Sequence, residues 1–133
     1  MEVHYIDKEY IHISEVAEIK KSGMMLALSD DAKERIVKCR KYLDDKMAEP
    51  GGVYYGINTG FGELCHVQVG HDELETLQLN LIRSHACGVG PAVQDDVVRW
   101  MLVLKILSLS KGLSGVREEV LDGLLHLLND DLI

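Results

Sequence analysis

The chain opens with a short alternation of apolar and polar positions and then shifts to helical spacing for most of its length. Val3 and Tyr5, then Tyr10-Ile11-His12-Ile13, flank a polar Asp7-Lys8-Glu9 and predict a hairpin or strand pair. Ser14 stands where a helix cap belongs, ahead of a short helix through Lys21 that Gly23 would end. From Ser29 or Asp30 to about Met47, Ile36, Cys39, Leu43 and Met47 recur at helical spacing. Glu49-Pro50-Gly51-Gly52 breaks that pattern. Val53 to Tyr55 reads as a brief extended piece, followed by a Gly-rich loop to about Gly70.

Asp72 and Glu75 stand in the relation of a capping box at the next helix start, with Leu74, Leu77, Leu81 and Ile82 along its inner side. Gly88-Val89-Gly90-Pro91 terminates it. Asp95-Asp96 opens a helix to about Ser110 whose apolar residues, Val97 to Leu109, fall on nearly every side, and Gly112 ends it. Ser114-Gly115 leads into a last helix with Glu118 and Glu119 in its first turn, where the dipole favours them. Helices apolar all round lie deep inside something larger, so these two ask for partner helices. The fold class is therefore mainly α, with a small N-terminal β element.

Composition narrows the function classes. With 133 residues the chain is one domain or a piece of a larger protein, and 47% hydrophobic residues suffice for a core. A net charge of −8 without a basic cluster disfavours nucleic acid as a partner. The Met1-Glu2-Val3-His4 start lacks the pattern of a secretory leader. The longest apolar stretch, Trp100 to Leu109, is interrupted by Lys105 and is too short to span a bilayer. Three cysteines, Cys39, Cys65 and Cys87, have no paired spacing, which fits a reducing, cytoplasmic setting.

Two places carry candidate chemistry. In Tyr54-Tyr55-Gly56-Ile57-Asn58-Thr59-Gly60-Phe61-Gly62, glycines at 56, 60 and 62 surround Tyr55 with permissive backbone. Read alone, Tyr55 is either a structural tyrosine beside a surface loop or a proton-transfer group. In Ser84-His85-Ala86-Cys87-Gly88, His85 comes near a helix end beside small residues that leave room for a ligand. Read alone, it is either a satisfied core histidine or a group that binds a polar substrate edge. The loop lacks the Lys-Ser/Thr ending of a phosphate loop and the dinucleotide glycine spacing. Cys65, His66 and His71 form one cluster without a second half, so no metal site is expected.

Taken in order, Tyr55 to Gly62, Leu79 to Gly90 and Lys111-Gly112-Leu113-Ser114-Gly115-Val116-Arg117 resemble the aromatic amino acid ammonia-lyase family. The resemblance runs from about residue 24 onward and is strongest from 53. It implies the N-terminal segment of that family's all-α fold, with residues 1–92 as an N-terminal domain and 93–133 as the start of a central helical bundle. It also implies a homo-oligomer that removes ammonia from an aromatic α-amino acid. The family's electrophile is a methylidene-imidazolone ring (MIO) formed from an internal Ala-Ser-Gly, a triplet absent from this sequence. By resemblance Tyr55 matches the family's acid/base tyrosine, with Gly56, Asn58, Thr59, Gly60 and Gly62 as its loop. His85, with Ser84, matches the position that recognises the substrate ring, in the pattern of members acting on L-histidine to give trans-urocanate. A phenylalanine or tyrosine lyase or aminomutase, and a non-catalytic lyase-like fragment, are the alternatives. Without the triplet, the isolated chain is expected to be inactive and to self-associate.

Overall fold

The structure is a computed structural model and describes residues 2–7 and 11–132. The chain packs as two compact units, residues 1–46 with 93–133, and residues 47–92.

In the first unit, β1 (Val3–Ile6) pairs in parallel with β2 (Met25–Leu28), Val3 opposite Met25 and Ile6 opposite Leu28. Parallel neighbours need a crossover, and α1 (Ile13–Ser22) supplies it. This corrects the expected hairpin. Ile13 is the first residue of α1 and not part of a second strand, while Lys8, Glu9 and Tyr10 lie outside the described residues. The reason is spacing: Val16 and Ile19, one helical turn apart, are both buried, and that burial outweighs the short alternation before them. The cap also moves from Ser14 to His12, whose N–H donates to Glu15 Oε2 at 2.9 Å and whose carbonyl accepts from Val16 N at 3.1 Å. Gly23 closes α1 in the left-handed conformation, as its position predicts.

Helix α2 (Asp30–Ala48) starts where the sequence places it. Ser29 Oγ accepts from Ala32 N–H at 3.2 Å, an N-cap bond, and Ala32 and Ile36 are its buried residues. The next helix, α3 (Leu74–His85), belongs to the second unit. Helix α4 (Asp95–Leu109) buries Val103, Ile106, Leu107 and Leu109, and α5 (Glu118–Asn129) buries Leu121 and Leu125 in the same core as Ile6, Leu26 and Leu28. The end of α5 is tied to the sheet by one side chain. Leu26 N–H donates to Asn129 Oδ1 and Asn129 Nδ2 donates to the Leu26 carbonyl, both at 2.9 Å. The amide thus satisfies the backbone groups that β2 does not pair with β1. On α4 the opposite face is apolar too, with Val97, Met101 and Leu104 exposed.

The second unit, Met47–Ala92, carries a 3-10 turn at Gly62–Leu64, another at His71–Glu73, and α3 (Leu74–His85). Asp72 is not a helix cap. It lies inside the second turn, which feeds straight into α3, and no side chain caps that helix. Leu74, Leu77 and Leu81 are half-buried, but Ile82 is exposed, so the inner side of α3 is narrower than its sequence predicts. Among the described residues of this unit only Asn58, Thr59 and Gly60 are buried. It is organised around polar side chains and not around an apolar core.

Candidate active site

Val53 to Tyr55 forms no strand, and the loop that follows is closed by hydrogen bonds on both sides of Tyr55. Tyr54 N–H donates to Asn58 Oδ1 at 2.7 Å, and Asn58 Nδ2 donates to the Gly52 carbonyl at 2.8 Å. The Tyr54 carbonyl accepts from Ile57 N and Asn58 N at 3.1 and 3.2 Å. One residue beyond Tyr55, Gly56 N–H donates to Thr59 Oγ1 at 3.2 Å, and the same hydroxyl donates to the Gly60 carbonyl at 3.0 Å. Val69 N–H reaches the Asn58 carbonyl at 2.9 Å, and Gly60 N–H reaches the Val67 carbonyl at 3.0 Å, around an antiparallel bridge of Thr59 with Gln68. Buried polar groups that are fully paired fix a geometry, because leaving one unpaired is costly. The loop therefore carries Tyr55 on a braced frame.

Two glycines make that frame possible. Gly56 has φ +73°, a left-handed value that side chains resist, and it turns the chain directly after Tyr55. At Gly60 an added Cβ would stand 2.6 Å from Leu64 Cβ and 2.8 Å from its carbonyl oxygen, which no side chain could tolerate unmoved. Tyr55 is 66% exposed, and its ring meets Phe61 edge-on, with centroids 6.3 Å apart at 72°. Its phenol is thus presented outward, held from behind by an aromatic contact.

His85 is the last residue of α3. The chain leaves the helix through Ala86 at φ −78°, ψ 59°, with Cys87 N–H donating to the His85 carbonyl at 2.8 Å, an inverse γ-turn. His85 and Ser84 are both exposed, so His85 is not a core histidine in this chain. Its Nδ1 lies 2.9 Å from the Leu81 carbonyl and 3.0 Å from Ser84 Oγ, and Ser84 Oγ donates to that same carbonyl at 2.9 Å.

The fold puts Tyr55 and His85 in one compact unit, each outward-facing. Among the described residues no group of three His, Cys, Asp or Glu is placed to hold a metal ion. What sequence reasoning missed is the work of Asn58 and Thr59, taken there only as loop members. An Asn-Thr pair three residues after a tyrosine is a turn signal that could have revealed it. Asn58 also borders a cleft of about 420 Å³ shared with Glu49, Gly52, Gln68 and His71.

Residues 11–133 match the aromatic amino acid lyase family. The chain belongs to that family. This lyase segment is 43% identical over 117 residues to histidine ammonia-lyase of Clostridium tetani, covering 88% of the segment and 23% of that relative. Among solved structures it matches histidine ammonia-lyase from Trypanosoma cruzi at 34% identity and TM-score 0.77, covering 97% of the segment and 25% of that chain. It also matches the ergothioneine-degrading enzyme ergothionase from Treponema denticola at 30% identity and TM-score 0.86, covering 96% of the segment and 26% of that chain. The lyase segment thus spans about a quarter of the length of the relatives it matches. The mainly α architecture with its small parallel sheet is the fold of this part of the family.

Proposed function

We propose that these residues form the N-terminal part of a histidine ammonia-lyase, which eliminates ammonia from L-histidine to give trans-urocanate. The observation that carries the reading is Ser84-His85, exposed at the end of α3, in a chain 43% identical to a histidine ammonia-lyase. A histidine offers an imidazole a directional hydrogen bond that a bare phenyl ring cannot use, and sites built on such bonds discriminate strongly. Tyr55 is the proton-transfer group, held by Gly56, Asn58, Thr59, Gly60 and Gly62 so that its hydroxyl faces the substrate. In the whole protein, residues 1–92 belong to the N-terminal domain and 93–133 begin the central bundle.

The MIO ring, where present, supplies the electrophile that turns the amine into a leaving group. Its Ala-Ser-Gly precursor is not among these 133 residues, so they contribute proton transfer and ring recognition and not the electrophile. The exposed apolar face of α4 supports a homo-oligomer, and the free thiols of Cys39, Cys65 and Cys87 fit a cytoplasmic setting. The test is urocanate absorbance in a full-length enzyme carrying this segment. Tyr55→Phe should keep the fold and cut kcat by roughly 10²-fold or more, the scale of a lost general acid or base. A kcat near that of the parent would reduce Tyr55 to a structural role. Turnover of phenylalanine or tyrosine but not histidine would move the segment to another branch of the family.

A further inference from the structure

The hydrogen bonds around His85 determine more than its position. A backbone carbonyl only accepts, so the 2.9 Å approach of His85 Nδ1 to the Leu81 carbonyl is a hydrogen bond only with the proton on Nδ1. Ser84 strengthens that requirement. With its hydroxyl proton directed to the Leu81 carbonyl, 2.9 Å away, Ser84 Oγ meets Nδ1, 3.0 Å away, with lone pairs and not with a proton. Both neighbours of Nδ1 are thus acceptors. In water, free neutral histidine favours the other tautomer, with the proton on Nε2. Which nitrogen carries the proton in a protein is set by the hydrogen bond that the other nitrogen makes.

We propose that Ser84 and the Leu81 carbonyl lock neutral His85 in the Nδ1–H tautomer, so that Nε2 presents a lone pair and recognises an N–H donor on the substrate ring. Ser84 is then a positioning residue that sets the polarity of the recognising edge and does not itself touch substrate. This rests on the reading of His85 as the ring-binding residue, and it sharpens the specificity. A ligand ring must carry a donor toward Nε2, which an imidazole does and a phenyl ring does not. Protonation of His85 abolishes the match, because Nε2 then becomes a donor facing a donor.

The experiment uses a full-length protein carrying this segment, with ring-¹⁵N histidine and the His85→Gln variant to subtract the other signals. Solid-state ¹⁵N spectra of neutral His85 should show a protonated Nδ1 and an unprotonated Nε2. Ser84→Ala should shift the balance toward Nε2–H, and Ser84→Thr, which keeps the hydroxyl, should restore it. A dominant Nε2–H signal in the parent protein would overturn the proposal whatever the substrate is. Kinetics give the second arm. His85→Gln keeps an acceptor oxygen at about the reach of Nε2, whereas His85→Lys offers only donors. KM for histidine should stay within roughly tenfold of the parent in His85→Gln and rise by more than roughly tenfold in His85→Lys, with kcat changing less. Equal KM in the two variants would overturn the acceptor role. An Nδ1–H signal in a protein that ignores histidine would instead leave the lock standing and remove the substrate assignment.

Discussion

Replacing Asn58 by Ala tests whether the loop that carries Tyr55 is braced by this single buried amide. Asn58 is 7% exposed, and its side chain spans the backbone just ahead of Tyr55, accepting from Tyr54 N–H at 2.7 Å and donating to the Gly52 carbonyl at 2.8 Å. Each hydrogen bond contributes about 1 kcal/mol net, and a buried group left unpaired costs about 1–3 kcal/mol. Gly52 is only half-buried, so water can replace the bond to its carbonyl. The expected loss is therefore about 2 kcal/mol, felt locally because residues 47–92 form a compact unit of their own. Two kcal/mol corresponds to about a 30-fold rise in the population of the open loop. Amide hydrogen exchange should report it: Tyr54 N–H should exchange roughly 30-fold faster, with the amides of Leu26 and Ile106 little changed. In a full-length enzyme kcat should fall by up to roughly 10²-fold, the scale of a reacting group misplaced by about 1 Å. Asn58→Asp keeps the acceptor for Tyr54 N–H but sets a carboxylate oxygen against the Gly52 carbonyl, so it should not rescue. Unchanged exchange at Tyr54 together with parental kcat would refute the bracing role.

Three other outcomes follow from the packing. Asn129→Ala removes both bonds to Leu26 and should destabilise the first unit by about 2 kcal/mol in urea unfolding; an unchanged midpoint would show that water satisfies β2 equally well. The hydrogen bond from Arg40 holds the Asp44 carboxyl below its usual range, with desolvation opposing and Arg40, Arg117 and Lys41 adding charge attraction. The pair's contribution is accordingly present above the ordinary carboxylate range and lost as pH falls through the lowered value, and Arg40→Gln should raise the Asp44 midpoint in a carboxyl ¹³C titration. The isolated 133-residue chain should form no urocanate and should self-associate through the exposed apolar face of α4, which light scattering would show as a mass above that of a monomer.

The sequence by itself determined the helices wherever cap, period and breaker agreed. Ser29 before the Ile36 stripe, Gly23 after α1, and the acidic first turns of α4 and α5 are local effects, settled within a few residues. It also carried the family, because three ordered blocks of residues need no coordinates to be compared. Tertiary structure decided what depends on distant partners. Residues 3–6 pair in parallel with 25–28, and not with 11–13, because Val16 and Ile19 find a shared core with α4 and α5 that no local pattern shows. Asn129 seals β2 across 103 positions, a bond between groups with no sequence relation. In the loop, composition located Tyr55, but the assignment of each donor waited on the fold. Only there do the Asn58 amide, the Thr59 hydroxyl and the backbone of residues 52–69 close on one another, since a hydrogen bond needs its partner within about 3 Å.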